Sequence, residues 1–110
     1  MKTITIIFDS GKVSKISFTE ISIFKLERTK DPQNNEEKKV STGIFHVVDS
    51  EEGLKSDTGK EVTLMNIANF LMWTLYESND KFIVFVNDHN NSISILKPSI
   101  DHIVNIELND

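Results

Sequence analysis

Cysteine is absent from the 110 residues, which excludes disulfides, thiolate zinc sites and thiol catalysis. Long apolar runs are absent too, since none approaches the roughly 18 residues of a membrane span. The segment MKTITIIFDSGK has one lysine ahead of a short apolar run, without the about 7–15 apolar residues and small-residue cleavage site of a signal peptide. A cytoplasmic protein with no membrane partner is therefore expected. Arginine occurs once, as Arg28, against eleven lysines, and alanine once, as Ala68. That bias accompanies low-GC bacterial and phage genomes, as an association rather than a physical argument.

Positive charge is scarce in the second half. Residues 1–48 carry eight Lys/Arg and six Asp/Glu, a balance of +2, whereas residues 49–110 carry four and eleven, a balance of −7. An acidic domain repels a phosphate backbone, and no aromatics interleave with basic residues as base stacking requires, so nucleic acid is not an expected partner. The acidity fits plain solubility or a basic protein partner. Hydrophobic residues make up 38% and charged residues 26%, ordinary for a globular chain. One domain spanning residues 1–110 is expected, with a core that needs no staples.

The chain is organised around Val62–Glu77, VTLMNIANFLMWTLYE, the one long stretch with helical spacing. At about 100° per residue, Leu64, Ala68, Leu71, Met72 and Leu75 fall on one side, with Ile67 and Met65 at its edges. Such a stripe can lie on a sheet. Asn66, Asn69, Thr63, Thr74 and Glu77 fall opposite, but so do Phe70 and Trp73, which three-residue spacing makes neighbours. Either a loop or the N-terminal hairpin covers these aromatics, or they meet a partner or a second copy. Thr58 with Glu61 three positions later fits a capping box, giving a helix over about 60–77, although Thr63 would cap a shorter one.

Strands are expected at 2–8, 12–18, 19–28, 42–48, 81–86, 92–96 and 101–108 from β-branched and aromatic content and the turn signals between them. Residues 29–41 are polar and contain Pro32, and read as a flexible loop or the tip of a long hairpin. The run KFIVFV at 81–86 has no wet face, so it reads as a central strand covered on both sides. The expected fold class is α+β: a mainly antiparallel, curled sheet of five to seven strands packed by one long helix. The second cover over 82–86 then comes from curling of the sheet or from another subunit.

Catalytic and metal readings find little support. Asp9-Ser10-Gly11 and Asp57-Thr58-Gly59 match the tripeptides of aspartic proteases, but Asp57 sits in a wholly polar stretch, and turn and capping chemistry accounts for both. GLKSDTGK at 53–60 has five residues between its glycines and Glu61 after its lysine, where a phosphate-binding loop needs four and a hydroxyl. His46, His89 and His102 show no metal or triad spacing, and Asp88-His89 and Asp101-His102 do not read as preformed dyads. No cofactor, metal or enzyme activity is expected. The sequence points instead to a small acidic protein that binds and blocks a basic protein partner, in the manner of a phage-encoded inhibitor of host defence or a toxin-immunity protein. The candidate partner-binding residues are Phe70, Trp73, Asn66, Glu51, Glu52 and Asp57. The alternative is an oligomeric binder of a small anionic ligand, held by Lys12, Lys15, Arg28, Lys38 and Lys39.

Overall fold

In the computed structural model the described residues are 1–30, 33–50, 53–76 and 81–109. Nine strands and two helices follow one another as β1 (Lys2–Phe8), β2 (Val13–Phe18), β3 (Glu20–Lys30), β4 (Glu37–Ser50), β5 (Gly53–Lys55), β6 (Glu61–Val62), α1 (Leu64–Tyr76), β7 (Lys81–Asn87), β8 (Ser92–Leu96), α2 (Lys97–Ile100) and β9 (Ile103–Asn109). The molecule is α+β, and every strand pairing among the described residues is antiparallel.

One curled sheet was expected; there are two. A three-stranded sheet has the order β2-β1-β9, and a six-stranded sheet has the order β6-β5-β4-β3-β7-β8. The split falls at Thr19, between β2 and β3. Its N–H and hydroxyl, and the N–H of Glu20, all donate to the carboxylate of Asp88, at 3.1, 3.1 and 3.3 Å. These donors are taken by a side chain from the β7–β8 turn instead of a neighbouring strand, so the ladder breaks there. Both edges of β1 are filled by β2 and β9, and both edges of β3 by β4 and β7. The two ladders therefore close separately.

The hydrogen bonds at this corner hold Asp88 at about pKa 2, from an ordinary 3.8; the Thr19 N–H is the largest cause and partial desolvation opposes it. A depressed carboxylate pKa stabilises the fold above the unfolded-state value and ceases to do so as pH falls through the folded-state value. The urea midpoint of Asp88→Ala should therefore lie below the parent's at neutral pH. The gap should close as pH falls from about 4 to about 2. A gap that stays constant over that window would show that the carboxylate does not hold the corner.

The inner faces of both sheets meet α1 in one core. Ile4, Ile6, Ile16 and Phe18 come from the small sheet, Ile21, Ile23, Val47, Leu54, Ile83, Phe85 and Ile95 from the large one, with Val62, Ile67, Leu71 and Ile100. The run at 82–86 is an internal strand, as its composition predicts. Ile83 and Phe85 point into the core and are fully buried, whereas Val84 and Val86 are only half-buried on the other face. No cover over that outer face comes from the described residues of the core.

Residues 29–41 are not simply a loop. The β3–β4 hairpin runs in register as far as Lys30 opposite Glu37, with a bulge near Lys25, and its outer end is exposed. Residues 31–32 lie outside the described part. Polar composition here reports a wet hairpin arm rather than missing structure. Residues 53–62, where no strand was expected and the last three were assigned to the helix, instead form β5 and β6 around a tight turn. There Gly59 takes φ 84° and its N–H donates to the Ser56 carbonyl. Lys97-Pro98-Ser99, between the strands expected at 92–96 and 101–108, begins the short helix α2 with proline in its first turn, and β9 starts two residues later than 101. No helix among the described residues is long and apolar enough to cross a membrane.

Candidate interaction surface

The helix begins at Leu64, not near residue 60. Thr58 is consumed by the β5–β6 turn, where its hydroxyl lies 3.0 Å from that of Ser56, and Glu61 belongs to β6. Thr63 is the cap: its hydroxyl accepts the Asn66 N–H at 3.2 Å, while the Asn66 side-chain oxygen accepts the Thr63 N–H at 2.8 Å. This is the reciprocal geometry of a capping box with asparagine in the acidic residue's place. Asn66, one of the expected partner-binding residues, is thus occupied with starting the helix. Glu77, the expected last residue of the helix, lies outside the described residues.

The helix is also turned relative to expectation. Ile67, Leu71 and Thr74 are its buried residues, so the buried stripe is rotated by roughly three-quarters of one residue step. Leu75 is half-buried, while Met65 and Met72, assigned to the sheet-facing side and its edge, are exposed. The pull comes from Phe70 and Thr74. Phe70 stacks on Phe45 of β4 with centroids 5.7 Å apart. Thr74, which is fully buried, returns its hydroxyl to the Phe70 carbonyl at 3.2 Å, so a polar residue enters the core with its donor satisfied.

Phe70 is therefore half core, covered neither by a loop nor by the N-terminal hairpin but by a strand of the large sheet. Trp73 meets the edge of Phe70 at 6.3 Å, and the ammonium of Lys25 lies 3.8 Å from the centroid of its ring. Lys25 itself is buried on the inner face of β3, two residues after Ile23. A cation on an indole face contributes about 0.5–2 kcal/mol depending on desolvation. Alternation along β3 places Lys25 inward, a signal that the sequence contained, but nothing in it named the ring waiting there. Glu51 and Glu52 lie outside the described residues, and Asp57 sits exposed in the β5–β6 turn.

What the rotation leaves outside is the largest exposed apolar surface on the helix. Met65 is 67% exposed, Met72 47%, Trp73 52% and Tyr76 82%. Met65, Met72 and Tyr76 fall within roughly 40° of one another around the helix axis, with Trp73 beside them. The helix contains no acidic or basic residue, LMNIANFLMWTLY. Next to it, a cleft of about 430 Å³ is lined by Leu64, Met65, Ala68, Ile103, Val104, Asn105 and Ile106. Its far wall is β9, which pairs with β1 along one edge and with no other described strand. The residues missed by sequence reasoning are thus Met65, Met72, Tyr76 and Val104. The helix expected over about 60–77 took in Lys60, Glu61 and Glu77, with Met72 in its packing stripe and Met65 at the edge, so a charge-free outer face was not visible in it.

Other chemical groups gather in three places. His46 is half-buried as its apolar strand predicts, and its ring nitrogens lie 2.9 Å from the Ser22 hydroxyl and 2.9 Å from a Glu20 carboxylate oxygen. Asp88 and His89 do approach, at 3.4 Å, because a turn rather than a strand carries them; the Asp88 oxygen concerned already accepts the Thr19 hydroxyl. An open cleft of about 490 Å³ brings Asp9, Ser10, Lys12, Ser99 and His102 together beside Phe8 and Leu96. Gly11, at φ 88°, donates to the Phe8 carbonyl there, so Asp9-Ser10-Gly11 is a hairpin turn. Of the five cations expected to hold an anion, Lys12 alone lines this cleft. Lys15 is on β2, and Arg28, Lys38 and Lys39 are on the β3–β4 arm. No group of three or more metal-ligating side chains occurs among the described residues.

Comparison with family models, curated proteins and solved structures gives no match for this chain.

Proposed function

We propose that the protein is a non-enzymatic interaction module that binds and blocks a protein partner through the outer face of α1. The observation that carries this reading is the charge-free helix with Met65, Met72, Trp73 and Tyr76 in water. Contiguous exposed apolar side chains of this size mark binding surfaces more often than chance surface residues. Methionines among them give a surface that adapts to a partner, and tryptophan and tyrosine supply large area at small entropic cost. The adjoining apolar cleft and the open edge of β9 extend the surface beyond the helix. Main-chain groups of an edge strand can receive an extended segment. The overall charge of −5 favours a partner with basic residues around an apolar patch. Inhibition of a host-defence protein or neutralisation of a toxin from within the cytoplasm is the role such a module would fill. The expected partner-binding set accordingly shifts from Phe70, Asn66 and the 51–57 segment to Trp73, Met65, Met72, Tyr76 and the β9 edge. The scattered lysines give the anionic-ligand alternative no comparable support.

The test is native mass spectrometry of protein drawn from its own host. A co-purifying protein is expected with the parent chain. It should be lost from the variant carrying Met65→Lys, Met72→Lys and Tyr76→Lys, whose urea midpoint should match the parent's because all three side chains are already wet. Retention of the same protein by that variant would refute the assignment of this face, and an extra small mass in place of a protein would favour the ligand-binding alternative.

A further inference from the structure

The outer face of the large sheet carries a second apolar surface, independent of the helix face. Along β3 it presents Glu20, Ser22, Phe24, Leu26, Arg28 and Lys30, every second residue of an unbroken strand. Beside Phe24 in register stand Val84 on β7 and Ser94 on β8; beside Leu26 stand Phe82 and Leu96; beside Ser22 stand Val86 and Ser92. Phe24, Leu26, Val84 and Val86 are half-buried and Leu96 is exposed, and none of them belongs to the core. This is a sheet face with an apolar centre in a molecule whose helix and second sheet lie on the other side.

Its charges are ordered along the strands. Glu20, whose side chain is 55% exposed, and Asp88, bonded to the Glu20 N–H, stand at one end. Arg28, with its guanidinium 5.1 Å from the Phe82 ring centroid, and the exposed Lys30 stand at the other. Glu20 and Arg28 are each four residues from Phe24, in opposite directions. A two-fold axis lying across the strands above Phe24 therefore superposes acid on base. Phe24 meets the partner's Phe24, Glu20 meets the partner's Arg28, and Arg28 meets the partner's Glu20. Strands related this way run antiparallel, and two sheets stack face to face about 10 Å apart, within reach of such side chains.

We propose that the protein forms a symmetric homodimer through this face, with Phe24 on the axis and two Glu20–Arg28 pairs closing its ends. An isologous interface must be complementary to itself, and the 20–24–28 spacing meets that requirement. The alternative two-fold axis, along the strands, sets Glu20 on Glu20 and Arg28 on Arg28, and repulsion excludes it. With β3 and β4 contributing eight residue steps each, β7 six and β8 four, at about 3.4 Å per step and about 4.8 Å between strands, the face spans roughly 420 Å² on each copy. The total is at the low end for specific association, so the dimer dissociates on dilution. The helix face stays free in this arrangement, so the proposal stands apart from the partner-binding role: one face makes the dimer and the other presents two copies of the partner surface.

Sedimentation equilibrium over about 1 µM to 1 mM, a range chosen for a weak dimer, tests it. The parent should pass from monomer to dimer across the series. Glu20→Arg alone, or Arg28→Glu alone, turns both attractive pairs into repulsive ones and should raise the dissociation constant at least tenfold. An equimolar mixture of the two variants restores both pairs across a heterodimer and should regain parental affinity. A misfolded variant could not be rescued by mixing. Because the chain has no cysteine, Ser94→Cys provides a second measurement. In the row of Phe24, Cys at 94 should cross-link to its copy with a short bis-maleimide, whereas Met65→Cys on the helix should not. A parent that stays monomeric, single variants that dimerise like it, a mixture no better than its parts, or linkage at 65 and not at 94 would each overturn the proposal.

Discussion

Leu71→Ala should lower stability by about 2–5 kcal/mol, the range for deleting a buried leucine and leaving a cavity, while Met72→Ala should stay within about 0.5 kcal/mol as a surface change does. The two residues are adjacent, chemically similar and equally apolar, so the contrast isolates the phase of α1. Leu71 is 2% exposed among core residues of both sheets, and Met72 is exposed on the opposite edge of the helix. Urea unfolding of the two variants is the measurement. Similar losses in both would restore the stripe of Leu64, Ala68, Leu71, Met72 and Leu75 as the packing face. They would also return Met72 to the core and remove it from the interaction surface. The same experiment therefore bears on function, because the partner-binding reading depends on which side of the helix is wet.

That phase was only partly legible in the sequence. Helical spacing located α1 and made Leu71 core, because any stripe drawn through the apolar residues passes through it. It could not rank Met72 against Thr74. Hydropathy alone prefers the methionine inside, whereas in the structure Thr74 satisfies its hydroxyl on the Phe70 carbonyl and lets Phe70 reach Phe45. The gain came from a tertiary partner on β4, about which a helix-local pattern carries no information. The same distinction runs through the sheets. Alternation in β8 and the apolar run in β7 were readable because side chains on a strand take opposite faces. The break between the two sheets was not, because it depends on Asp88 reaching Thr19 across 69 residues of sequence. Asn87-Asp88-His89-Asn90-Asn91 looks like a turn and is one, with Asn90 at φ 63°. Turn propensity accounts for its composition so completely that a structural joint inside it leaves no trace. On the site, Trp73 was legible as an aromatic out of place, and its exposure agrees with that. Phe70 beside it had the same signature and is half core. The two differ only in what β3 and β4 place beneath them.

The joint itself should be among the most sensitive points in the molecule, and Asn87→Ala should cost roughly 3 kcal/mol. Asn87 is buried at the end of β7 and satisfies groups on both sides of the sheet boundary. Its side-chain oxygen accepts the N–H of His89 at 3.0 Å and of Asn91 at 2.9 Å, holding the β7–β8 turn. Its side-chain nitrogen donates to the Ser17 carbonyl of β2 at 2.7 Å, in the other sheet. Truncation to alanine leaves two donors and one acceptor without their partner, each worth about 1–3 kcal/mol where water does not reach it. The turn donors lie near the surface and regain part of that from solvent, so the total falls well short of the simple maximum. Asn87→Asp separates the two halves of the joint. It keeps the acceptor for both turn N–H groups but sets a second carboxylate oxygen against the Ser17 carbonyl, where two acceptors repel. A deficit in Asn87→Asp close to that of Asn87→Ala would place most of the cost on the lost contact with the Ser17 carbonyl. Urea midpoints of both variants at neutral pH decide the matter. An Asn87→Ala chain as stable as the parent would show that Asn87 does not join the two sheets and would leave the polar corner to Asp88 alone.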